Sequence, residues 1–511
     1  MPKRCYYGVN EQFLWMVGSS LQGGFGIFAT ELSRHTRMRL IIFVTFCFAL
    51  LSAEAQDKWS LEECIKYAMD NNIAIKQSQL QTEIASYSKQ QAKLNLLPSL
   101  NGSGTHGYNW GQTIDPFTNQ FATKRVRTNS IGVSSQVTIF SGFQRVNQIK
   151  QSNYEYLASL SDAEKQKNDV ALSIANAYVT VLFAKDLLQI AQNQLEISKL
   201  QKNRIKQLVD VGQLPKSNAL DAESQLALDE ASLVQRQNDL DLAYLSLYQI
   251  LQLDPSNAIQ IQEPPMIEVS SSFLNLSPFN IYQTAKENFP QIKATEYRVK
   301  SAEANLSIAR GATVPRITAS GSVGSGYSGN NRVIRDDANP SLSVERIGFT
   351  ETGSNVFTER LNFADSDFNT KRFEDQLNDN LNQSLSFSLV IPIFNGYSSR
   401  TAVKQSKINT QISQYQLQQT KNNLRQEIER AYADARAALK SYEAAKKAKE
   451  AAEESFKYAD IRYSQNLINQ VEFSDAKIRM ANAELELSRS KYDFVFKVKV
   501  LDFYKGENIS F

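Results

Sequence analysis

The 511-residue chain has few of the residues that build metal centres or disulfide frameworks. It contains two histidines, His35 and His106, and three cysteines, Cys5, Cys47 and Cys64. A zinc or iron–sulfur site needs more ligands than this in one place, and three cysteines are too few for a disulfide framework. We therefore expect no metal and no cofactor.

The chain also lacks a charge excess of either sign. It has 56 Lys and Arg against 53 Asp and Glu, a net charge of +3. Nucleic-acid-binding proteins usually have a clear basic excess, so we expect no nucleic-acid partner. The mean hydropathy is negative. This value argues against a bundle of membrane helices, but it is compatible with a membrane β-barrel, whose strands are apolar only at alternate residues.

One strongly apolar segment is present, LIIFVTFCFALL at residues 40–51. It is too short to span a bilayer as a helix. Arg39 precedes it, and the small residues of Ala53-Glu54-Ala55 follow it, as in a secretory signal peptide. The sequence therefore predicts export and cleavage between Ala55 and Gln56; a buried core helix is the alternative.

The rest of the chain is a tandem repeat. Pro98 in LLPSLNGSG and Pro315 in TVPRITASG lie 217 positions apart, while VTIFSGF (137–143) and IPIFNGY (391–397) lie 254 apart. The second offset persists for more than 80 residues, which indicates a duplication. The difference of 37 between the offsets places an insertion in the polar stretch 329–380.

The chain divides into four predicted segments: a non-native N-terminal extension (1–37), the signal peptide (38–55), a first repeat (56–265) and a second repeat (266–511). Each repeat begins with a helix, signalled by a capping box at Ser60 and by Ser277 followed by Pro278. We expect this helix to continue unbroken to the prolines that start the strands, Pro98 and Pro315.

Four segments alternate small polar and apolar residues, as strands do: Ser99–Trp110, Ile131–Phe140, Arg316–Tyr327 and Ser384–Phe394. Each is near the ~9–11 residues of a tilted transmembrane strand. A soluble antiparallel sheet has the same alternation, so both interpretations stay open on the strands alone. Because the smallest membrane barrels have about eight strands, a membrane location requires several protomers to share one barrel.

Long helices follow the strands. No Pro or Gly occurs from Gln144 to Asp210, which corresponds to ~100 Å of continuous helix. Apolar residues recur there in steps of four and three: Val170, Ile174, Ala177, Val181, Ala184, Leu188, Ala191 and Leu195. The second repeat has an equivalent seam: Leu424, Ile428, Ala431, Ala435, Ala438, Tyr442 and Ala445. A two-stranded coiled coil would keep large residues at both seam positions, whereas these alanines predict closely packed helices.

Each long helix is predicted to end in a tight turn. Gly212 suits the left-handed conformation at a helix C-terminus, and its repeat equivalent, Asn466, is the next best residue for that geometry. The chain then restarts as a helix that carries Asp221 or Asp475. Each repeat therefore contains a long antiparallel helical hairpin.

The ordered set of these features resembles the TolC-type outer-membrane efflux proteins. The resemblance rests on the signal peptide and on the repeated order helix–strand–strand–helix–helix. It also rests on the proline before the first strand of each repeat, on the IPIFNGY-like sequence at the end of the second strand, and on the hairpin turns. It implies a mainly α-helical fold with a membrane β-barrel contribution. Three protomers would supply four strands each to a twelve-stranded outer-membrane barrel, and their hairpins would form a periplasmic tunnel. Asn466, where the family often has Gly, and the long second loop depart from the pattern.

The resemblance further implies a passive duct rather than an enzyme. It would be a homotrimer in outer-membrane lipid that accepts substrates from a periplasmic adaptor and an inner-membrane pump of the resistance-nodulation-division or ABC type. Its role would be multidrug efflux or type I secretion. The sequence contains neither a G-x-x-x-x-G-K-[ST] nor a G-x-S-x-G motif. The alternatives are a periplasmic coiled-coil scaffold without channel activity and a secreted enzyme. The enzyme is the weaker alternative, because the predicted mature chain has one histidine and no clustered carboxylate motif.

The expected tip of the hairpins contains the candidate functional residues. The turns at Gly212, Leu214, Asn466 and Ile468 are the predicted adaptor-docking sites. The tunnel of this family narrows near the tip, so the resemblance implies a candidate constriction there. Its members are Asp460, Arg462, Tyr463 and Lys206, the repeat equivalent of Asp460. Three copies of Asp460 would concentrate negative charge and attract cations. An intersubunit ion pair with Lys206 and a plain solvated surface charge are the alternatives. The loops 112–127 and 329–380 should face the exterior, the second as a lid or as a disordered insert.

Overall fold

The structure, a computed structural model, describes residues 58–122, 125–254, 259–263, 277–465, 467–507 and 509. Several sequence-based predictions lie outside these residues: the N-terminal extension, the signal peptide with its cleavage site between Ala55 and Gln56, the boundary between the repeats at 265, and Asn466.

The two halves have the same order of elements. The first half contains β1 (Lys58–Trp59), α1 (Leu61–Asn71), α2 (Ile73–Leu94), β2 (Ser99–Asn109), β3 (Thr113–Ile114), β4 (Phe121–Ala122), β5 (Val126–Ser141), α3 (Gln144–Asp210), α4 (Lys216–Leu251) and β6 (Gln260–Ile261). The second half contains α5 (Pro278–Asn288), α6 (Pro290–Gly311), β7 (Arg316–Ser328), β8 (Arg332–Ile334), β9 (Ser341–Phe349), β10 (Asn355–Asn362), β11 (Phe368–Thr370), α7 (Phe373–Asp379), β12 (Asn382–Val390), α8 (Ser398–Ser464) and α9 (Gln470–Lys505). Equivalent helices have equal lengths: 67 residues for α3 and α8, and 36 for α4 and α9. The internal repeat is thereby confirmed.

The prediction of one unbroken helix at the start of each half is wrong, because two helices occupy each stretch. In the first half, Asn72 has an extended backbone, and its side chain accepts hydrogen bonds from the N–H groups of Ala74 and Ile75. In the second half, Pro290 begins α6 directly after an extended Phe289. A proline has no N–H and disfavours the helical conformation of the preceding residue, so it ends one helix and starts the next.

The long helices contain the core. All predicted seam positions of α3 are buried except Leu188, which is half-buried; in α8, Ala431 and Tyr442 are half-buried and the other positions are buried. Among the described helices α3 alone is long and apolar enough to cross a membrane. Since 61% of its apolar window is buried inside the protein, α3 is a packed core helix.

The small strands β1 and β6 pair in parallel, Lys58 with Gln260 and Trp59 with Ile261. They belong to a minor unit of the chain, which is separate from the unit that contains the helices and the main sheet.

The main sheet has four antiparallel strands in the order β12-β7-β5-β2. Its strands coincide with most of the four predicted segments. Strand β5 extends further toward the N-terminus than predicted, whereas the prediction that the last strand continues to Phe394 is wrong, because β12 ends at Val390, two residues before Pro392, which has no N–H to donate to a sheet. The insertion between β7 and β12 is folded: β8 pairs with β11, β9 forms a hairpin with β10, and α7 follows. Of the two alternatives for this loop, the disordered insert is therefore wrong.

Candidate functional site

The main sheet has one polar face. Ser320 and Ser386 lie opposite each other with their hydroxyl oxygens 2.8 Å apart, and Ser322 and Ser384 repeat this contact at 2.8 Å. On the far side of the sheet, Thr105 hydrogen-bonds to a serine of β5 on the same face. Small hydroxyl side chains therefore line this face from edge to edge, as in a barrel wall that borders a watery lumen.

The opposite face is apolar and exposed. Leu385, Phe387 and Leu389 of β12 are 73%, 68% and 59% exposed. The nine residues of β12 rise ~30 Å, which at a tilt of ~40° covers ~23 Å of bilayer, close to the ~25 Å apolar band of a membrane barrel. An exposed apolar band of this height is suited to lipid contact.

Aromatic side chains lie at both ends of the sheet. At one end His106, Tyr108 and Trp110 follow each other along the apolar face, with ring centroids 5.1 and 6.0 Å apart. At the other end Phe143 and Tyr397 occupy equivalent strand-to-helix junctions, both with a left-handed backbone and both exposed. Girdles of this kind mark the two interfaces of a membrane barrel.

Both edges of the sheet are long strands that pair on one side only: β12 pairs with β7, and β2 pairs with β5. An exposed edge strand presents unpaired N–H and C=O groups, which in lipid would each cost several kcal/mol. The sheet therefore needs further strands at both edges before it can lie in a bilayer.

At the end of the sheet nearest the long insertion, side chains from neighbouring segments hydrogen-bond to β7 and pack against it. The carboxamide of Gln376 in α7 accepts a hydrogen bond from Ser328 N (2.9 Å) and donates to Ser328 O (3.0 Å), so it pairs with β7 beyond the last pair of β12. Asp115 hydrogen-bonds to the Ser328 hydroxyl and caps the turn that carries Phe117. Phe117 packs directly against Gly326, where a side chain would clash with its ring.

The hairpin tip begins at Gly212, whose φ of +79° is the left-handed conformation that glycine adopts without strain. Arg204 of α3 donates a 2.8 Å hydrogen bond to Ser464 O, and its guanidinium lies 5.5 Å from the ring of Tyr463. That ring stacks on Phe473 at 4.7 Å, and burial raises the pKa of the Tyr463 hydroxyl. The ends of both hairpins of a protomer are thus joined.

The other candidate tip residues remain exposed or half-buried. Asp460, Arg462 and Lys206 are exposed, and within the described part of the chain neither Asp460 nor Lys206 forms an ion pair. Leu214 and Ile468 are half-buried beside the turns, and Asp221 and Asp475 are exposed on the following helices. Pro98 and Pro315 directly precede the first residues of β2 and β7. Asp460, the predicted constriction residue, is therefore accessible to a partner or to an ion.

The sequence analysis missed a buried charge pair above the tip. Lys477 of α9 is 5% exposed, and its ammonium lies 2.8 Å from the carboxylate of Asp229 in α4. Both groups also hydrogen-bond to the hydroxyl of Ser198 in α3. One signal was available: Lys477 lies one helical turn after the buried Phe473, so it is a charged residue on an apolar stripe.

Within the described residues no group of three or more His, Cys, Asp or Glu side chains is arranged to hold a metal ion. The cavities between the helices are small, mixed in polarity and open. One of 230 Å³ lies beside Lys477, between α3, α4 and α9.

Comparison with known proteins decides the family. The profile of the family described as "Outer membrane efflux protein" matches residues 64–252 and 281–504. The chain belongs to this family. Relatives include "Toxin and drug export protein A" of Aggregatibacter actinomycetemcomitans, 23% identical over 61% of this chain and 66% of that protein. "Outer membrane protein TolC" of Escherichia coli K12 is 23% identical over 85% of this chain and 80% of its own length.

Solved structures share the fold of this outer membrane efflux protein. The structure of CusC matches with a TM-score of 0.69 at 16% identity, covering 89% of this chain and 96% of that one. The structure of VceC from Vibrio cholerae also matches with a TM-score of 0.69, at 15% identity over 88% of this chain and 97% of that one. The predicted family, fold class, outer-membrane location and role as an efflux or secretion channel are confirmed, and the alternative of a periplasmic scaffold is not supported.

Proposed function

We propose that the protein is a passive, non-enzymatic duct that works as a homotrimer. Three four-stranded sheets close a twelve-stranded barrel in the outer membrane, and three pairs of hairpins continue it as a periplasmic tunnel. The observation that carries the proposal is the main sheet itself: an apolar exposed face, a hydroxyl-lined face and two edges without partners. Such a sheet suits a lipid-facing barrel wall only after it joins other copies of itself.

The repeat specifies how the copies join. Within one protomer, β5 of the first half pairs with β7 of the second half. The strand equivalent to β5 is β12, and the strand equivalent to β7 is β2. Applying the same pairing once more joins β12 of one protomer to β2 of the next, which satisfies both free edges. The contact is head-to-tail, and such a contact gives a closed ring when the rotation between copies closes, as it does after three copies in this proposal.

The helices support the same arrangement. Helix α6 packs against both α3 and α8, whereas its repeat equivalent, α2, packs along α3. Helix α2 also exposes Leu80, Ile84 and Tyr87, whose equivalents in α6 are Tyr297, Ser301 and Ala304. Ser301 and Ala304 are buried, and Ser301 donates a hydrogen bond to a side chain of α3. The exposed stripe of α2 is thus equivalent to a packed stripe of α6.

A matching surface exists on α8. Ile408, Ile412 and Tyr415 are 55%, 47% and 76% exposed. Their equivalents on α3 are Tyr154, Ala158 and Ser161, and the last two of these are buried. We therefore place α2 of one protomer against α8 of its neighbour, with Leu80, Ile84 and Tyr87 on Ile408, Ile412 and Tyr415. At ~25 cal/mol per Å² of apolar surface, burying six such side chains contributes on the order of 10 kcal/mol to each contact.

The tip supports the proposed partners. Gly212 and its neighbours form exposed turns that suit docking of a periplasmic adaptor, which connects the duct to an inner-membrane pump. The pump supplies the energy and selects the substrate. The exposed Asp460 gives a negative ring when three copies surround one axis, and such a ring favours cations.

The mass and conductance of the mature protein test the proposal. Protein purified in detergent from the outer-membrane fraction should have the mass of a trimer and should produce ion currents in planar lipid bilayers. The variant Ile412→Glu should weaken the trimer, since it buries an unpaired charge, and Lys446→Glu, which changes an exposed residue elsewhere on α8, should not. A monomeric, freely soluble mature protein without currents would overturn the duct.

A further inference from the structure

The short strands β3 and β4 form a hairpin in the connection between β2 and β5, and this hairpin lies on the hydroxyl-lined face of the main sheet. Alternate residues of a strand belong to the same face, so Gly326 and Ser328 of β7 share a face with Ser320. The ring of Phe117 packs directly on Gly326, and Asp115 hydrogen-bonds to the Ser328 hydroxyl. In the proposed barrel the hairpin therefore lies inside the wall, on the side of the lumen.

Hydrogen bonds hold the turn of this hairpin in one shape. Asp115 is 1% exposed, and its carboxylate accepts hydrogen bonds from the N–H groups of Phe117 (2.9 Å) and Thr118 (3.1 Å). The N–H of Asp115 donates to the carbonyl of Gln120 at 2.9 Å, and Pro116 has a fixed φ. Because a buried carboxylate is costly to leave without its hydrogen bonds, the turn keeps Phe117 against β7.

The wall beneath Phe117 consists of glycine. Gly132 of β5 and Gly324 of β7 lie opposite each other and belong to the same face as Gly326. Phe117, Gly132 and Gly324 border a cavity of 350 Å³. Deeper in the sheet this face carries hydroxyl side chains instead, as at Ser322. Because glycine has no side chain, the aromatic ring of the hairpin can lie close to the backbone of the wall here.

The other face of the hairpin is apolar and exposed. Thr113 pairs with Ala122, and Ile114 pairs with Phe121. Ala122 is buried, whereas Ile114 and Phe121 are 54% and 72% exposed. Neighbouring pairs of a hairpin lie on opposite faces, so Ile114 and Phe121 point away from the wall. In a closed barrel, that direction is toward the central axis.

The size of the proposed barrel makes this position important. Twelve strands spaced ~4.8 Å apart and tilted by ~40° give a perimeter of ~75 Å and a radius of ~12 Å. Two packed sheets lie ~10 Å apart, so a hairpin that rests on the wall reaches to within roughly 2 Å of the axis. Three hairpins therefore occupy most of the bore at their level.

That level is the outer end of the barrel. Gly326 pairs with Ser130, which in turn pairs with Thr105. The next residue of β2, His106, begins the aromatic series that ends at Trp110. Helices α3 and α8 leave the sheet at its opposite end, so this aromatic series marks the outer surface of the membrane.

We infer that three β3–β4 hairpins form an apolar constriction at the outer mouth of the barrel, with Phe117 as the anchor on each wall and Ile114 and Phe121 around the axis. The constriction keeps bulky hydrophilic solutes of the exterior out of the tunnel. The inference rests on the proposed trimer, and it assigns these three residues a role in selecting by size what passes the outer mouth.

Thiol labelling from outside the cell tests the constriction. The reagent is a bulky maleimide-polyethylene glycol, added to intact cells. Ser386→Cys places a thiol on the lumen face opposite Ser320, six residues deeper than Gly326, or ~20 Å along β7. Thr352→Cys, in the exposed turn of the β9–β10 hairpin, is the accessible control. Cys64 is fully buried, so the parent chain is the unreactive control.

Two changes remove or release the constriction, and each is combined with Ser386→Cys. In the first, an Asn-Gly turn replaces residues 111–124 and connects β2 directly to β5. In the second, Phe117→Ala removes the anchor. The matched control is Phe357→Ala, which removes an exposed aromatic ring from β10.

Ser386→Cys should label slowly in the otherwise unchanged chain. It should label as fast as Thr352→Cys once the hairpin is replaced, at an intermediate rate with Phe117→Ala, and at the original slow rate with Phe357→Ala. A trimeric, conducting protein in which Ser386→Cys labels at once, or stays unlabelled after the replacement, would overturn the constriction and leave the duct standing. Equal rates with Phe117→Ala and Phe357→Ala would overturn the anchoring role of Phe117. If the parent protein is monomeric and carries no current, the proposed duct fails instead.

Discussion

Replacing Lys477 with methionine isolates the contribution of the buried ion pair between Lys477 and Asp229 to the stability of the protein. Methionine has a similar length and keeps the apolar stem, so the change removes the charge with little loss of packing. Breaking a fully buried ion pair costs about 3–5 kcal/mol. The side chain of Asp229 is 16% exposed, and its carboxylate keeps a 3.1 Å hydrogen bond from Gln225 and the contact with Ser198. We therefore expect a local loss of about 2–3 kcal/mol, below the range for a fully buried pair.

Hydrogen–deuterium exchange measures this loss where it occurs. In peptides that contain Lys477 or Asp229, the free energy of local opening should fall by the full amount of about 2–3 kcal/mol. This corresponds to a rise of about 30- to 150-fold in the exchange rate. Global melting is less informative because a chain of this size does not unfold in two states.

The matched control is Lys457→Met on α8. Lys457 forms a 2.9 Å ion pair with Glu454, but the two side chains are 56% and 61% exposed. Exposed pairs contribute about 0–1 kcal/mol, so exchange near Lys457 should hardly change. The double variant Lys477→Met/Asp229→Asn removes both charges and should recover much of the loss. Equal effects of Lys477→Met and Lys457→Met would refute a stabilising role for the buried ion pair between Lys477 and Asp229.

Three further predictions concern other parts of the chain. Burial raises the pKa of the Cys64 thiol to about 12 from its ordinary 9.0, so iodoacetamide should label it only after unfolding, and the stability it contributes should be constant at neutral pH and be lost as the pH rises above about 9. Gly142→Ala should lower the melting temperature of the detergent-solubilised protein more than Gly396→Ala: both have positive φ, at a cost of about 1–2 kcal/mol, but only at Gly142 would the added carbon lie 2.5 Å from a backbone oxygen, that of Gly311. Asp460→Asn should reduce the cation preference of single channels, and an unchanged reversal potential in a salt gradient would contradict the acidic ring.

The sequence predicted those parts of the fold that depend on local chemistry and periodicity. The absence of Pro and Gly between Gln144 and Asp210 determined the limits of α3, and alternation located the strands of the main sheet. The break at Asn72 escaped prediction, because asparagine in a run of helix formers gives only a weak signal until its side chain is seen to cap the next helix. Pro290 was a stronger signal for the same break in the second half, and the two breaks would have supported each other through the repeat.

The buried polar contacts between the two hairpins could not be predicted from the sequence for a different reason. Ser198, Asp229 and Lys477 belong to three helices, and their contact depends on the rotation of each helix about its own axis. The internal structure of the insertion at 329–380 was equally out of reach, since the pairing of Gln376 with Ser328 joins a helix to a strand 48 residues away.

In the proposed trimer, the repeat gives contacts within and between protomers that differ. Duplication alone would make these contacts identical, because α3 and α8 are repeat equivalents, as are α4 and α9. The present side chains make them unequal: within a protomer the contact between α3, α4 and α9 contains Lys477, Asp186 and Ser488, whereas the equivalent positions hold Glu223, Lys440 and Val234. Lys440 forms its ion pair within its own helix, and the side chain of Val234 is exposed. Neither residue therefore has the polar contact to another hairpin that its repeat equivalent has. In the proposed trimer, the contact within a protomer is therefore stabilised by a buried charge pair that the equivalent contact between protomers lacks.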